Sequence, residues 1–298
     1  MKVFITGGTG FVGRGLVELL VSRGCAVTVL TRQARPATDG VRYVAGDPLQ
    51  LGPWMDEVAG HAAVVNLAGA PIFCRWTEAN KAMLRASRIT TTHNLVAALA
   101  RNAGQEVTLL NASAVGYYGL EDYPERHETA LAGHDFLARL ARDWEAAARG
   151  AEGSGVRVVL CRFGVVLDPA GGALRTMLPA FRLGLGSPLG SGRQWFPWIS
   201  RVDLLEAFWF LLQHQDIAGP VNCTAPHTPR NREFVRLLGR SLHRPVFLPG
   251  VPAWLLRLLL GEAASTITRG QNVVPAVLMR HGFRFRHPTV ADFFRQGP

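Results

Sequence analysis

Lys2-Val3-Phe4-Ile5-Thr6-Gly7-Gly8-Thr9-Gly10-Phe11-Val12-Gly13 decides the fold. Val3 to Ile5 is an apolar run of the length of a buried strand. A glycine-rich turn follows at once, and then Leu16, Val17, Leu19 and Leu20 recur at helical spacing. Strand, tight turn and helix together open a dinucleotide-binding unit. Each glycine has a physical task there. Unpaired N–H groups and the positive dipole end of a helix N-terminus favour a pyrophosphate. Side chains at Gly7 and Gly10 would hold the phosphates away, and Gly13 lets the helix pack closely on the strand. Thr9, Phe11 and Val12 belong to the same cofactor-binding surface.

Working outward, 298 residues suffice for one large domain or two modest ones, and 48% hydrophobic content supports an α/β fold with a large core. No charged-then-apolar segment precedes the first strand, which reads against a signal peptide. The longest apolar run, near Trp254 to Leu260, is broken by Arg257 and is too short to span a bilayer. Cys25, Cys74, Cys161 and Cys223 are scattered and form no CxxC pair, the pattern of reduced thiols in a cytoplasmic protein rather than a metal site. The net charge is +10, carried almost wholly by arginine, since Lys2 and Lys81 are the only lysines. No dense basic run or nucleic-acid motif accompanies that charge. An anionic cofactor or substrate therefore explains it better than nucleic acid.

The second strand, Cys25 to Leu30, ends in Thr31-Arg32. In this fold the residue at that point meets the adenosine ribose. An acid there would accept from a free 2′-hydroxyl, whereas a guanidinium suits a 2′-phosphate. Arg32, with Arg35 close behind, favours NADP over NAD; the competing reading is a solvated loop arginine. A third strand, 41–47, ends at Asp47, placed to accept from the adenine amine. A helix is expected over 48–58. The fourth strand, 62–70, runs into a small-residue turn in which Leu67, Ala68 and Gly69 leave room for ribose and phosphates. A long helix is expected over 77–101. A fifth strand, 107–113, brings Ser113 to the carboxyl edge, ahead of Tyr117 and Tyr118. After a helix over 135–150, a sixth strand, 156–164, carries Arg162, which either faces the nicotinamide side or pairs with an acid such as Asp203.

This alternation predicts a Rossmann-like, doubly wound parallel sheet. Beyond Leu167 the pattern loosens, with helices expected near 174–185, 204–214, 232–242 and 253–260. The expected division is a cofactor domain over 1–166, with 200–224 returning to it, and a smaller substrate-side domain from 167–199 and 225–298. Arg193, Gln194 and Trp195 lie in a loop that either closes over substrate, where an arginine suits a diphosphate, or is a solvated loop anchored by Trp195. His281 and His287 show no metal-ligand spacing, and no metal site is expected. Phe283, Phe285, Phe293 and Phe294 read as core of the smaller domain.

These residues resemble an extended short-chain dehydrogenase/reductase of the nucleotide-sugar epimerase and dehydratase group. Thr6 to Gly13 is similar to its TGGTGFxG turn, Asp47 to its adenine-side acid, Asn66-Leu67-Ala68-Gly69 to its NxAG element, Ser113 to its serine, and the stretch from Gln194 to Asp203 to the approach to its next helix. Asn66 to Pro71, Arg75-Trp76-Thr77, Ser87-Arg88-Ile89, Ala112 to Gly119, Arg142 to Glu145, Gly219 to Asn222 and Gly282 to Phe285 resemble a narrower subfamily labelled "epimerase family protein". The resemblance spans essentially the whole chain. It implies NADP, a small-molecule substrate that carries phosphate or nucleotide, and pairing of two copies through long helices such as 77–101.

One departure decides what chemistry is available. The group's tyrosine and lysine, one helical turn apart, move the proton while nicotinamide takes the hydride. Lys81 is the last lysine here, and the matching positions fall near Leu137 and Ala141. Three readings stay open: hydride transfer with another proton donor among Tyr117, Tyr118 and His134 and with Ser113 holding the reacting oxygen; tyrosines that only shape a pocket; or a non-catalytic NADP-binding sensor or partner-binding protein.

Overall fold

The computed structural model describes residues 1–101, 106–120 and 125–295. Its strands are β1 (Lys2–Thr6), β2 (Ala26–Thr31), β3 (Val41–Ala45), β4 (Ala63–Asn66), β5 (Thr108–Ala114), β6 (Arg157–Phe163), β7 (Val165–Asp168), β8 (Trp198–Ser200) and β9 (Gly219–Cys223). Seven of them form one sheet in the order β3-β2-β1-β4-β5-β6-β9. Every pairing is parallel. The helices that matter below are α1 (Phe11–Ser22), α2 (Glu78–Arg85), α3 (Thr91–Ala100), α4 (Phe136–Arg149), α5 (Gly172–Arg182), α6 (Arg201–Gln213), α7 (Asn231–Ser241) and α8 (Ala253–Leu260). The chain is a doubly wound, Rossmann-like α/β protein.

The strands are apolar throughout because both faces of the sheet are covered. Alternate residues divide between two cores. Val3 and Ile5 join Leu16 and Leu20 of α1 and Phe208 and Leu211 of α6. Phe4, Val64 and Leu109 point the other way, against Leu95 and Leu99 of α3 and Ala148 of α4. Burial of each such side chain stabilises the fold by about 1.5–3 kcal/mol. A third core lies over the parallel pair β7–β8. It gathers Leu174 and Phe181 of α5, Phe234 and Leu238 of α7, and Phe293 and Phe294. Phe283 and Phe285 do not join it. They pack on the α6 side, with Phe283 edge-on to Phe210 at 5.3 Å.

Two local expectations change. The helix over 48–58 is a short 3₁₀ helix, Pro53–Val58, because Gly52 is fully extended and Pro53 has no N–H to continue an earlier turn. The long helix over 77–101 starts as expected, with the Thr77 hydroxyl accepting from the Asn80 N–H at 3.2 Å. It is then interrupted by a π-helical turn, Ala86–Thr90, between α2 and α3. Among the described residues no helix is long and apolar enough to cross a membrane.

The chain leaves β1 first toward β2 and β3, then crosses back to β4 on the other side. That reversal opens a crevice beyond the carboxyl ends of β1 and β4, where such sheets bind ligands.

Candidate active site

The glycine turn sits at that crevice. Gly7 has φ +70°, and a Cβ there would lie 2.7 Å from the carbonyl of Leu67. The turn after β1 and the turn after β4 are therefore in direct backbone contact. A Cβ on Gly13 would lie 2.2 Å from the Gly7 carbonyl oxygen, so this glycine is set by helix-to-turn packing. Gly10 differs. A Cβ there would meet only the Gly7 oxygen, at 3.2 Å, and otherwise enters open space. Gly10 is exposed and is the N-cap of α1, with no side chain bonded to the first-turn amides. Those amides remain free for an anion. Thr9, Phe11 and Val12 are partly buried around them. The cradle fits the pyrophosphate of a dinucleotide.

The neighbouring strand ends continue the same edge. Arg32 follows β2 directly, is exposed, and makes no hydrogen bond or ion pair among the described residues. Asp47 follows β3, and its Oδ1 accepts from the Leu49 N–H at 3.0 Å. Leu67 and Ala68 are partly buried and Gly69 is exposed. Beneath them a buried polar seam locks the strand ends. Thr6 donates to Asn66 Oδ1 at 2.6 Å, and Asn66 donates to Asn111 at 2.7 Å and to Thr92 at 2.9 Å.

Ser113 lies farther along the edge, in register with Arg162 on β6, which is in register with Asn222 on β9. Its hydroxyl donates to Glu145 Oε1 of α4 at 2.7 Å. Arg162 grips the same carboxylate with two bonds, at 2.7 and 2.8 Å. The pair is sealed, with side chains 2% and 5% exposed. Arg162 also donates to the Tyr118 hydroxyl at 2.9 Å and to the Glu128 carbonyl at 3.2 Å. The Tyr118 hydroxyl in turn donates to Asn222 Oδ1 at 2.6 Å. Glu128 Oε1 accepts from the backbone N–H of Asn222 and of Val277, each at 3.1 Å.

This network corrects the Asp203 pairing: the acid that meets Arg162 is Glu145. Asp203 instead accepts from Ser200 at 2.8 Å and from the backbone N–H of Arg286 and His287 at 2.7 and 3.0 Å. The geometry also shows Arg162 spending its donors inside the protein, so among the proposed cofactor residues it is the one that faces protein groups. Burial opposes its charge, but Glu145 and Tyr118 more than restore it, and its pKa stands above that of a free guanidinium. Burial pushes Tyr118 up to about 12, against the pull of Arg162.

A carboxylate held by a guanidinium only accepts. The Ser113 proton therefore points at Glu145, and Ser113 offers lone pairs to anything else that approaches. It suits a hydroxyl or amide N–H rather than a bare carbonyl oxygen. The two tyrosines also differ. Tyr118 is 1% exposed with its hydroxyl fully engaged. Tyr117 is partly buried, its ring lies 3.5 Å under the Arg162 guanidinium, and its hydroxyl makes no hydrogen bond among the described residues. His134 is exposed. Leu137 and Ala141 occupy the same stripe of α4 as Glu145, four residues apart, so the helix brings one carboxylate and no phenol or amine to this edge.

In the loop ahead of β8, Arg193 is exposed with no partner for its guanidinium among the described residues, and Trp195 stacks under Arg230 at 3.6 Å. Gln194 is buried and donates to the carbonyls of Leu189 and Ile267 at 2.8 and 2.9 Å, which makes its amide a brace of the loop. Its Oε1 and the Trp195 Nε1 are buried without a partner. Among the described residues no group of three or more His, Cys, Asp or Glu is arranged to hold a metal ion.

The sequence matches the NAD dependent epimerase/dehydratase family over residues 3–223. The chain belongs to that family. Residues 251–296 match a second family, described as a domain of unknown function, DUF1731. "Epimerase family protein Mb2239" of Mycobacterium bovis is 43% identical, over 97% of this chain and 95% of its own length. "Epimerase family protein SDR39U1 homolog, chloroplastic" of Arabidopsis thaliana is 41% identical, over 99% of this chain and 86% of its own. The crystal structure of human epimerase family protein SDR39U1 (isoform 2) with NADPH superposes with a TM-score of 0.88 at 34% identity, covering 99% of this chain and 98% of that one.

Within this family member, the residues that sequence reasoning missed are Glu145, Asn222 and Glu128. Glu145 was detectable as the next polar residue on the Leu137–Ala141 stripe. Asn222 was not, because only the adjacency of β9 to β6 brings it to Arg162, and Glu128 was not, because it reaches Arg162 from the segment ahead of α4.

Proposed function

We propose that the chain is an NADP-dependent, epimerase-like oxidoreductase acting on a small hydroxyl-bearing substrate. The observation that carries this reading is the pairing of an open Gly10 cradle with an Arg32, unpaired among the described residues, two strand-ends from the Gly69 turn. Arg32 would hold the 2′-phosphate, Gly7 to Gly13 the pyrophosphate, Asp47 the adenine amine, and Leu67 to Gly69 the nicotinamide ribose. The bound nicotinamide supplies hydride acceptance and donation. The NADPH in the human SDR39U1 structure supports the same choice of cofactor.

The protein's own part is to orient and to move a proton. Ser113, polarised by Glu145, accepts a hydrogen bond from the substrate hydroxyl. The Tyr117 hydroxyl is the proton carrier, because it is the free phenol at this edge. Tyr118, Arg162 and Asn222 hold Ser113 and Tyr117 in place. Arg193 and Trp195 cover the substrate from the loop before β8.

Incubation with NADPH carrying deuterium at the reactive carbon tests this directly. Stereospecific transfer of the label to a sugar nucleotide or a related carbonyl compound, lost in Tyr117→Phe, is the expected result. Tight NADPH binding with no label transfer to any such compound would favour the second reading, a cofactor-dependent sensor. What favours that reading is the closure of the Ser113–Glu145–Arg162–Tyr118 network on itself.

A further inference from the structure

Arg88 occupies the π-helical turn between α2 and α3 and has no acidic partner among the described residues. Its Nη1 donates to the Leu84 carbonyl at 3.3 Å and to Ser87 Oγ at 3.4 Å, and its Nη2 to the Ala70 carbonyl at 3.0 Å. A guanidinium has five N–H donors. The Nε–H and the second Nη2–H of Arg88 therefore have no acceptor among the described residues. The group packs over the Trp144 indole at 5.3 Å and is partly buried. Burial brings its pKa down to about 10, so it stays charged at neutral pH. Arg162, more deeply buried, is neutralised by Glu145. Arg88 has no carboxylate beside it among the described residues and keeps two donors unmet, an arrangement that an anionic ligand would complete.

Its position names the ligand's place. A Cβ on Gly69 would lie 3.3 Å from the Arg88 guanidinium carbon. Four residues on, Thr92 accepts from Asn66 and from the Trp144 indole N–H. The residue after Trp144 is Glu145, which holds Ser113. Arg88 thus stands between the Gly69 turn and the Ser113 corner. The π turn is part of the arrangement, since such turns re-aim side chains and recur at functional sites.

We propose that Arg88 is the anion-recognition residue of the substrate pocket and receives two oxygens of a substrate carboxylate or phosphate bound beside Gly69. The free Nε–H and Nη2–H suit a bidentate oxyanion. Phosphates of the cofactor are assigned elsewhere: the pyrophosphate to the Gly10 turn, and the 2′-phosphate to Arg32 just after β2, a strand that β1 separates from β4. The inference rests on reading this sheet edge as a redox site, and it narrows the substrate to an anionic compound.

The test is calorimetric titration of the protein–NADPH complex with inorganic phosphate and with malonate at low salt, for wild type, Arg88→Met and Arg88→Lys. Wild type is expected to bind at least one of the two. Arg88→Met should lose about tenfold or more in that affinity, and Arg88→Lys, which keeps the charge but not the fork, should fall between them. NADPH affinity and melting temperature should stay near wild type in both variants. Arg88→Lys alone carries the comparison where Arg88→Met does not fold. Three results overturn the proposal: no oxyanion binding by wild type, unchanged oxyanion affinity with a lowered melting temperature, or loss of NADPH affinity in step with the oxyanion. The second would make Arg88 a brace for the Ala70 and Leu84 carbonyls; the third would assign it to the cofactor. If wild type binds no NADPH, the redox reading falls, and the same titrations on the cofactor-free chain judge Arg88 by the same criteria.

Discussion

The two ends of this sheet edge handle their polar groups in opposite ways. Around Gly10 and Arg32 the chain leaves donors open: helix-start amides without a side-chain cap and a guanidinium without a partner among the described residues. Around Ser113 the chain satisfies itself. Glu145, Arg162, Tyr118 and Asn222 form one buried, mutually bonded set in which only the lone pairs of Ser113 and the Tyr117 hydroxyl remain for a ligand. On the proposed function, the open donors are the places offered to a ligand, and the closed network is what holds Ser113 and Tyr117 in position.

The comparison breaks most visibly at Glu145. Glu145→Ala strands the buried Arg162 charge and should cost about 3–5 kcal/mol in urea denaturation. Replacing the pair together, Glu145→Leu with Arg162→Met, should recover much of that loss. A cost below about 1 kcal/mol for the single change would mean that the network is not the closed unit described.

Tyr118→Phe should cost about 1–3 kcal/mol by leaving Asn222 Oδ1 buried and unpaired. It also has a pH signature. With the folded-state pKa raised to about 12, the neutral phenol is favoured in the native protein. That stability is fully present below the ordinary value near 10 and is lost as pH rises from about 10 through 12, about 3 kcal/mol in all. The stability gap between wild type and Tyr118→Phe should therefore narrow with alkali, and a gap that stays constant would contradict the assigned burial.

Two glycines sharpen the contrast from the other end. Gly13→Ala drives a Cβ into the Gly7 carbonyl and should lower stability by about 1–3 kcal/mol. Gly10→Ala should leave the melting temperature nearly unchanged and weaken NADPH binding about tenfold, because the added methyl enters the space left for phosphate. Equal effects of the two changes on stability would remove the distinction between packing and binding glycines.

Much of the open end was legible in the sequence. The glycine turn, Arg32 and the small residues after β4 lie in or just after strand ends, so their place along the sheet edge follows from their spacing, and the roles proposed for them rest on that place. The absence of the tyrosine and lysine at Leu137 and Ala141 was equally legible. The closed end was not. Arg162 chooses Glu145 over Asp203 because α4 packs against β5 and β6, whereas the Asp203 carboxylate is taken up by the Ser200 hydroxyl and the 286–287 backbone. The short 3₁₀ helix at 53–58 and the π turn at 86–90 also escape hydrophobic periodicity, which registers neither a tightened nor a widened turn. The π turn matters most, because it holds Arg88.

The measurement closest to the central claim is calorimetric titration of wild type and Arg32→Ala with NADPH and with NADH. The account predicts that wild type prefers NADPH, and that Arg32→Ala weakens NADPH about tenfold or more while leaving NADH unchanged. Equal affinity for both cofactors in wild type, or no binding of either, would contradict it.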